Sequence, residues 1–176
     1  MKECESCGSP YEPWSMSQKA CSPKCAIRLG KAEKKEKAER DKARKAALKR
    51  IPDLIKEAQV EFNAYIRARD HSRECICCGQ ALIQEAVGGG YDCGHYRSTG
   101  SASHLRFHED NAHAQRKVCN RYGAGRAVDY RIGLIARIGL GRVEALESNC
   151  VPHKWQRDEL IEIKETYKRK LKELQG

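Results

Sequence analysis

The spacing of apolar residues predicts a chain built mostly of helices. In residues 51–70 the apolar positions recur every three or four residues, which places them on one face of a helix. These positions are Leu54, Ile55, Ala58, Phe62, Tyr65 and Ile66. Pro52 marks the start of this helix, because proline is tolerated in a first turn but disrupts a helix interior. We therefore expect a helix that packs against a core.

Residues 26–50 show the opposite pattern, AIRLGKAEKKEKAERDKARKAALKR, in which eleven basic residues outnumber four acidic ones. Alanine, lysine, glutamate and arginine all favour the helix. The apolar positions are too few to form a packed stripe. We therefore predict a long, solvated basic helix or linker.

In the second half of the chain, the residue pattern predicts an irregular, hairpin-like segment followed by more helices. Residues 75–125 are rich in glycine, histidine and cysteine, and a glycine run at 88–90 beside a candidate strand indicates a hairpin tip. The segments YRIGLIARIG and RVEALES predict two short amphipathic helices separated by Gly139 and Gly141. Residues 154–174 predict a closing helix, with acidic and basic residues paired at helical spacing. The expected fold class is an α-rich α+β protein with long flanking helices.

The charge balance adds an expected partner. The chain has 34 lysines and arginines against 24 acidic residues, for a formal charge of +10. Such an excess favours a polyanion, and nucleic acid is the first candidate. No apolar run reaches membrane-spanning length, and the first residues lack the apolar segment of a secretory signal. We expect a cytoplasmic protein with no membrane partner, whose cysteines stay reduced.

Two closely spaced cysteine pairs near the amino terminus predict a zinc site. The four residues are Cys4, Cys7, Cys21 and Cys25. Structural Zn²⁺ is held tetrahedrally by four such ligands, usually supplied as two pairs that meet across a loop. Because the protein supplies all four, the zinc would be structural rather than catalytic. We expect a zinc-binding knuckle over residues 1–25, followed by the basic helix or linker over 26–50.

The central segment DCGHYRSTGSASHLRFHEDNAHAQRKVCN holds the residue types that phosphodiester cleavage requires. The reaction needs a nucleophilic water, a base that takes its proton and a cation that stabilises the developing charge. The neutral imidazole of His95 can accept a proton. The oxygens of Asp92 and Asn120 suit a magnesium-like ion that keeps several waters.

This segment, with DYRIGLIARIG after it, resembles the phage lambda NinG (Rap) recombination nuclease family. Its most specific parts are Asp-x-Gly-His-Tyr-Arg and the Asn-x-His-x-Gln run before Cys-Asn, and the likeness spans almost the whole chain. The resemblance implies a phage or prophage protein of the bacterial host. It implies a nuclease domain over residues 51–176, with a ββα-metal (His-Me or HNH-like) finger core at 73–125 and carboxy-terminal helices. The motif order is similar to that of phage endonuclease VII.

The implied activity is structure-specific cleavage of branched recombination intermediates, such as Holliday junctions and D-loops, with Mg²⁺ or Mn²⁺ as the catalytic ion. His95 would be the general base, and Asn120 would be a metal ligand. Asn111 would brace the loop by hydrogen bonding. Asp92 is the expected second metal ligand, although many such fingers carry an acidic residue where this chain has Gly94.

The resemblance also implies a second structural zinc, for which the candidate ligands are Cys75, Cys78 and Cys119. The expected Cys-x-x-Cys-Asn pattern is broken, because Arg116 stands where its first cysteine should be. The fourth ligand is then Cys93, Cys77 or His113, or the site is weak or empty. The sequence leaves these alternatives open.

Basic residues around the motifs and on the basic helix are expected to contact DNA phosphates. They are Arg97, Arg106, Arg116, Lys117 and Arg121, together with Lys34, Lys35, Arg44 and Lys45. For Tyr11, Trp14 and Trp155 we expect aromatic packing beside a zinc site, with stacking on exposed bases as the alternative.

Recognition is expected to follow DNA shape and to depend strongly on salt. A homodimer is expected, since symmetric cutting of a junction calls for two active centres. Two other interpretations remain open. One is a non-catalytic zinc-dependent DNA-binding protein that assists recombination, and the other is an adaptor whose basic helix binds an acidic protein.

Overall fold

A computed structural model gives the fold and describes residues 1–83 and 89–176. Within them lie five α-helices and two small antiparallel sheets, which confirms the helix-rich prediction. Gly88, the first residue of the predicted hairpin tip, lies outside the described residues. The structure divides into two compact units, Met1–Lys49 and Arg50–Gly176.

The amino-terminal unit joins a short hairpin to a long helix. Strands β1 (Lys2–Glu3) and β2 (Pro10–Tyr11) pair antiparallel, and helix α1 spans Pro23–Leu48. The Ser22 side chain caps α1 by accepting a hydrogen bond from the Cys25 backbone N–H. All residues of α1 are described, and only Cys25 among them is buried. The helix predicted by composition is therefore present and solvated.

In the larger unit, two long helices form one side of the core. Helix α2 spans Ile51–Arg69 and helix α5 spans Arg157–Gln175. Their buried apolar residues form one cluster with Phe107 and Ala112 of the central segment. From the two helices it contains Leu54, Ala58, Phe62, Ile66, Leu160 and Tyr167. Four of the six positions in the predicted α2 stripe are thus fully buried, which confirms that this helix packs.

A hairpin carries the central motifs. Strands β3 (Tyr91–His95) and β4 (Ala112–Arg116) pair antiparallel, with His95 opposite Ala112. A short π-helical turn, Val118–Tyr122, follows β4. Two strands and a short helical turn therefore succeed one another around residues 91–122.

Two further helices contribute to a second buried cluster. Helix α3 spans Ala127–Ile138 and helix α4 spans Leu140–Ser148. The sequence placed Gly139 and Gly141 between them, but Gly141 lies inside α4. The single residue Gly139, at a φ of 85°, turns the chain from one helix into the next. Among the described residues, no helix combines the length and the apolar character needed to cross a membrane.

Candidate functional site

The amino-terminal cysteines lie close enough to share one metal ion. The sulfur atoms of Cys4, Cys7, Cys21 and Cys25 all lie within 4.8 Å of one another. The backbone N–H of Cys21 donates to Cys4 Sγ at 3.3 Å, and this bond is the main cause that lowers the pKa of Cys4 to about 6. A lowered pKa favours the thiolate that zinc requires. This cluster could therefore hold zinc.

A second cysteine cluster lies beside the central hairpin. The sulfur atoms of Cys75, Cys77, Cys78 and Cys119 also lie within 4.8 Å of one another. Cys77 is thus the fourth cysteine of the set. The other two candidates lie elsewhere: Cys93 packs against the α2 cluster, where burial raises its pKa to about 12, and His113 lies beside Asp70.

The two clusters share one backbone turn. In each cluster, a glycine directly follows one cysteine, and its backbone N–H donates to the carbonyl of the cysteine four residues before it. Gly8 donates to Cys4 at 2.8 Å and Gly79 donates to Cys75 at 3.0 Å. Both glycines adopt a positive φ, 74° and 64°, that residues with side chains rarely adopt. The repeated turn and the four thiols fit a zinc ion at each cluster.

His95 has the geometry of a neutral base. Its Nε2 lies 3.0 Å from the backbone carbonyl of Arg106, so Nε2–H donates to that carbonyl and the lone pair is on Nδ1. Burial lowers the pKa of His95. The imidazole is therefore neutral at pH 7 and can accept a proton at Nδ1.

One cavity of roughly 510 Å³ brings His95 and Asn120 together. Its walls come from the end of β3, the loop that follows, the π-helical turn and the start of α3. The loop contributes Arg97, Ser98, Thr99 and Ser101. The cavity therefore combines a base, an amide and several hydroxyl groups that can bind an anionic ester.

Asn111 braces the loop between the two strands. Its buried Oδ1 accepts from the Arg97 N–H at 2.8 Å, and its Nδ2 donates to the carbonyls of Arg97 and Leu105. Arg106 works on the same loop, because its guanidinium donates to the Thr99 carbonyl at 3.1 Å. Arg106, expected on DNA, is thus already engaged within the protein.

Asp92 adjoins Asn120 but is held by another residue. Its carboxylate accepts two hydrogen bonds from Arg121, at 2.8 and 3.1 Å, and one from Asn120 Nδ2 at 3.4 Å. Asp92 is not among the described residues that line the cavity. Packing explains why position 94 is a glycine: a Cβ on Gly94 would lie 2.3 Å from Gln115 Oε1.

Comparison with known proteins identifies the family. The family model described as Bacteriophage Lambda NinG protein matches residues 1–176. Protein ninG of Salmonella phage P22 is 38% identical over 189 residues, covering 97% of this chain and 91% of that protein. The chain belongs to the NinG family. Protein ninG of Escherichia phage lambda is 37% identical over 191 residues, covering 98% of this chain and 91% of its own length.

No solved structure matches the chain at a significant level. The names of the NinG relatives state no reaction. Membership of the NinG family therefore leaves the activity to be inferred from the site.

The remaining candidate DNA contacts of this NinG chain lie in different settings. Arg116 donates a side-chain hydrogen bond to Gln80, and its backbone N–H donates to Cys75 Sγ at 3.3 Å. The Lys117 N–H donates to the Gly90 carbonyl. The helix residues Lys34, Lys35, Arg44 and Lys45 are all exposed on α1. Their contact with DNA stays a prediction.

The aromatic residues follow the packing expectation only in part. Tyr11 is half-buried beside the first cysteine cluster, as expected, whereas the Trp155 ring packs on Phe107, with ring centroids 4.9 Å apart, and not beside a cysteine cluster. Trp14 is 88% exposed, so the expectation that it packs beside the zinc site is wrong. The loop that carries it places the indole at the surface.

Sequence reasoning missed a buried ion cluster. The fully buried carboxylate of Asp70 accepts two hydrogen bonds from Arg69, at 2.8 and 2.9 Å, and one from the Ala114 backbone at 2.9 Å. His113 Nδ1 lies 3.5 Å and Arg137 Nη1 lies 3.7 Å from it. Asp70 therefore ties the end of α2 to strand β4, which carries the central motifs.

If the second cluster binds zinc, the number of zinc ions bound per chain should depend on Cys77. Metal analysis of the purified, dialysed protein should find two zinc ions per chain, one for each cluster. The Cys77→Ser variant should retain one, because a hydroxyl is a poor replacement for a thiolate ligand. The matched variant Cys93→Ser should retain both. Full zinc in Cys77→Ser, or a loss in Cys93→Ser, would show that the ligand set is wrong.

Proposed function

We propose that this protein is a metal-dependent endonuclease that cleaves branched DNA, such as Holliday junctions and D-loops, at the His95 cavity. The observation that supports this most is that His95 and Asn120, which lie far apart in sequence, line the same cavity. A base and a hard-oxygen ligand at one cavity are what hydrolysis of a phosphodiester needs.

Each residue of the site has a separate task in this proposal. His95 Nδ1 takes the proton of the attacking water, while the Arg106 carbonyl keeps the ring oriented. Asn120 and Asp92 supply hard oxygen ligands, which fit Mg²⁺ or Mn²⁺. Such an ion, when bound, stabilises the charge that develops on the phosphate and on the leaving oxygen.

The basic residues near the cavity would bind the DNA backbone. Arg97 lines the cavity; its Nη1 donates to the Glu147 carbonyl at 3.0 Å, and its remaining N–H groups would bind a phosphate there. Arg121 must release Asp92 before that carboxylate can bind a metal, and its exposed side chain can then turn to a phosphate. Metal binding and DNA binding would therefore support each other at this corner of the site.

The wider proposal concerns the substrate and the assembly. The exposed basic residues of α1 bind the DNA backbone without reading bases, so affinity falls steeply as salt rises. Two chains act as a homodimer, one for each strand cut in a symmetric junction. With phage relatives and thiolate zinc ligands, we place the protein in the cytoplasm of the bacterial host.

One observation favours a second candidate function. The Asp92 carboxylate is already engaged by Arg121, and in the described part of the chain Asp92 does not line the cavity. A centre that never binds a catalytic ion would belong to a non-catalytic, zinc-dependent DNA-binding protein that assists recombination.

One experiment separates these two candidates from each other and from an adaptor that binds an acidic protein. The full chain is incubated with labelled Holliday junction, D-loop and linear duplex, with and without magnesium or manganese, and binding is measured across a salt series. We expect cleavage of the branched substrates only when the divalent ion is added. Salt-sensitive binding to branched DNA without cleavage would favour the accessory protein. Weak, salt-independent binding would point to the adaptor.

A further inference from the structure

The most exposed aromatic ring of the amino-terminal unit has no packing role. Trp14 is 88% exposed, and Met16 two residues later is 94% exposed. The Trp14 backbone N–H donates to Gln18 Oε1 at 3.0 Å, which ties the loop at this point. The exposed indole offers a flat apolar face on which a ligand can pack.

A groove of roughly 610 Å³ opens beside Trp14 within this unit. Its opposite wall is α1, through Ala26, Leu29, Gly30 and Glu33. Gly30 is the residue of interest there, because a Cβ on it would meet no described atom within 4 Å. Glycine weakens a helix interior relative to alanine, and no neighbour requires it here. Because Gly30 has no side chain, this part of the groove stays open.

The charges around the groove suit a ligand with phosphates. Helical spacing places Lys34 one turn after Gly30 and Lys37 one turn after Glu33, on the face that lines the groove. Glu33, the acidic residue of the wall, lies 3.7 Å from Lys19. The groove therefore has Trp14 on one side, and Lys34 and Lys37 extend the opposite wall along α1.

We propose that this groove binds an unpaired base of single-stranded DNA. Trp14 stacks on the face of the base, and Lys34 and Lys37 bind the phosphates that follow it. Base stacking on an aromatic ring next to a basic track is the usual way to bind single strands without reading sequence. An apolar protein segment would use the ring but not the lysines.

The inference rests on the proposed function in taking DNA as the ligand, but it uses a site other than the His95 cavity. A D-loop carries unpaired bases beside its branch point, and a linear duplex does not. Trp14 would thus give the protein a preference for branch points that charge alone does not supply.

The test uses the fluorescence of Trp14 in the full chain. The chain has two tryptophans, so Trp155→Phe leaves Trp14 as the only one. Oligothymidylate of about ten nucleotides, within the usual site size, and a blunt duplex are titrated without magnesium. We expect the single strand to quench Trp14 at saturation and the duplex to quench it little. Equal quenching by both, or none by either, would overturn the proposal.

Variants then show whether the ring and the open wall cause the preference. Trp14→Ala should weaken oligothymidylate binding about 5- to 150-fold, the range that one stacked base contributes, and leave duplex binding unchanged. Trp14→Phe should keep most of the affinity, whereas Gly30→Leu should lose it and Gly30→Ala should not. The matched control Met16→Ala should behave like the unaltered chain. Equal loss of affinity for both DNAs in Trp14→Ala would overturn the proposal.

Two outcomes separate this proposal from its alternatives. If Trp14→Ala turns a dimer into a monomer in sedimentation velocity and leaves DNA affinity unchanged, the groove holds a second copy and the proposal is wrong. If the unaltered chain cleaves no branched DNA but the single strand still quenches Trp14, the endonuclease proposal fails and this one stands.

Discussion

Replacing His95 by alanine is expected to slow junction cleavage about 100- to 10,000-fold, the usual contribution of a general base. The reason lies in the imidazole itself: Nε2 is fixed on the Arg106 carbonyl, and Nδ1 remains to take a proton. Junction affinity should change little, because the basic residues that are proposed to bind DNA are untouched. The measurement is the single-turnover rate at saturating magnesium, together with the affinity.

His153 provides a matched control. Its ring packs on Trp155 at 4.4 Å and pairs with Glu159, so His153→Ala removes an imidazole from another part of the larger unit. This variant should cleave at the unaltered rate. Because burial lowers the pKa of His95, the unaltered chain should keep its cleavage rate down to a lower pH than an unburied imidazole would allow. Unchanged cleavage by His95→Ala would refute the assigned role.

Replacing Asp70 by alanine is expected to destabilise the larger unit by about 3–5 kcal/mol, the usual cost of removing one partner from a buried ion pair. The change would leave Arg69 and Arg137 without their shared counter-charge and the Ala114 N–H without its acceptor. The Asp70 carboxylate and the Ala114 backbone are fully buried, whereas the side chains of Arg69 and Arg137 are 20% and 14% exposed. Urea unfolding of the Trp14→Phe chain, followed by Trp155 fluorescence, measures the free energy of unfolding.

Asp129→Ala is the control, because Asp129 pairs with Arg126 at an exposed position. It should cost about 1 kcal/mol or less. Burial alone raises the pKa of Asp70, but hydrogen bonds from His113 and Arg69 outweigh it and hold that pKa below its ordinary value. The stabilisation is therefore complete above about pH 4 and is lost as the pH falls further. Equal costs for the two variants would contradict this account.

Local patterns in the sequence were sufficient to predict the helices and one of the two cysteine clusters. The α2 stripe, the solvated α1 and the start at Pro52 follow from spacing and composition, which are local properties. The four amino-terminal cysteines form two close pairs, so their meeting required only one turn of the chain. Asn111 was expected to brace the loop, and its three hydrogen bonds are consistent with that role.

Contacts between distant segments could not be predicted in the same way. Asp70 continues the α2 stripe four residues after Ile66, a signal that it is buried, but its partners on β4 and α3 appear only in three dimensions. The choice of Cys77 over Cys93 depends on how the hairpin packs. The exposure of Trp14 likewise depends on the tertiary course of its loop, which apolar character alone does not report.

A double-variant cycle on His95 and Asn120 tests most directly whether they form one catalytic centre. Single-turnover rates of Holliday junction cleavage are measured for His95→Ala, Asn120→Ala and the double variant at saturating magnesium. Residues that act as a unit are strongly non-additive. We predict that the double variant cleaves about as fast as the slower single variant. Losses that multiply, or a single variant that cleaves at the unaltered rate, would contradict a shared centre.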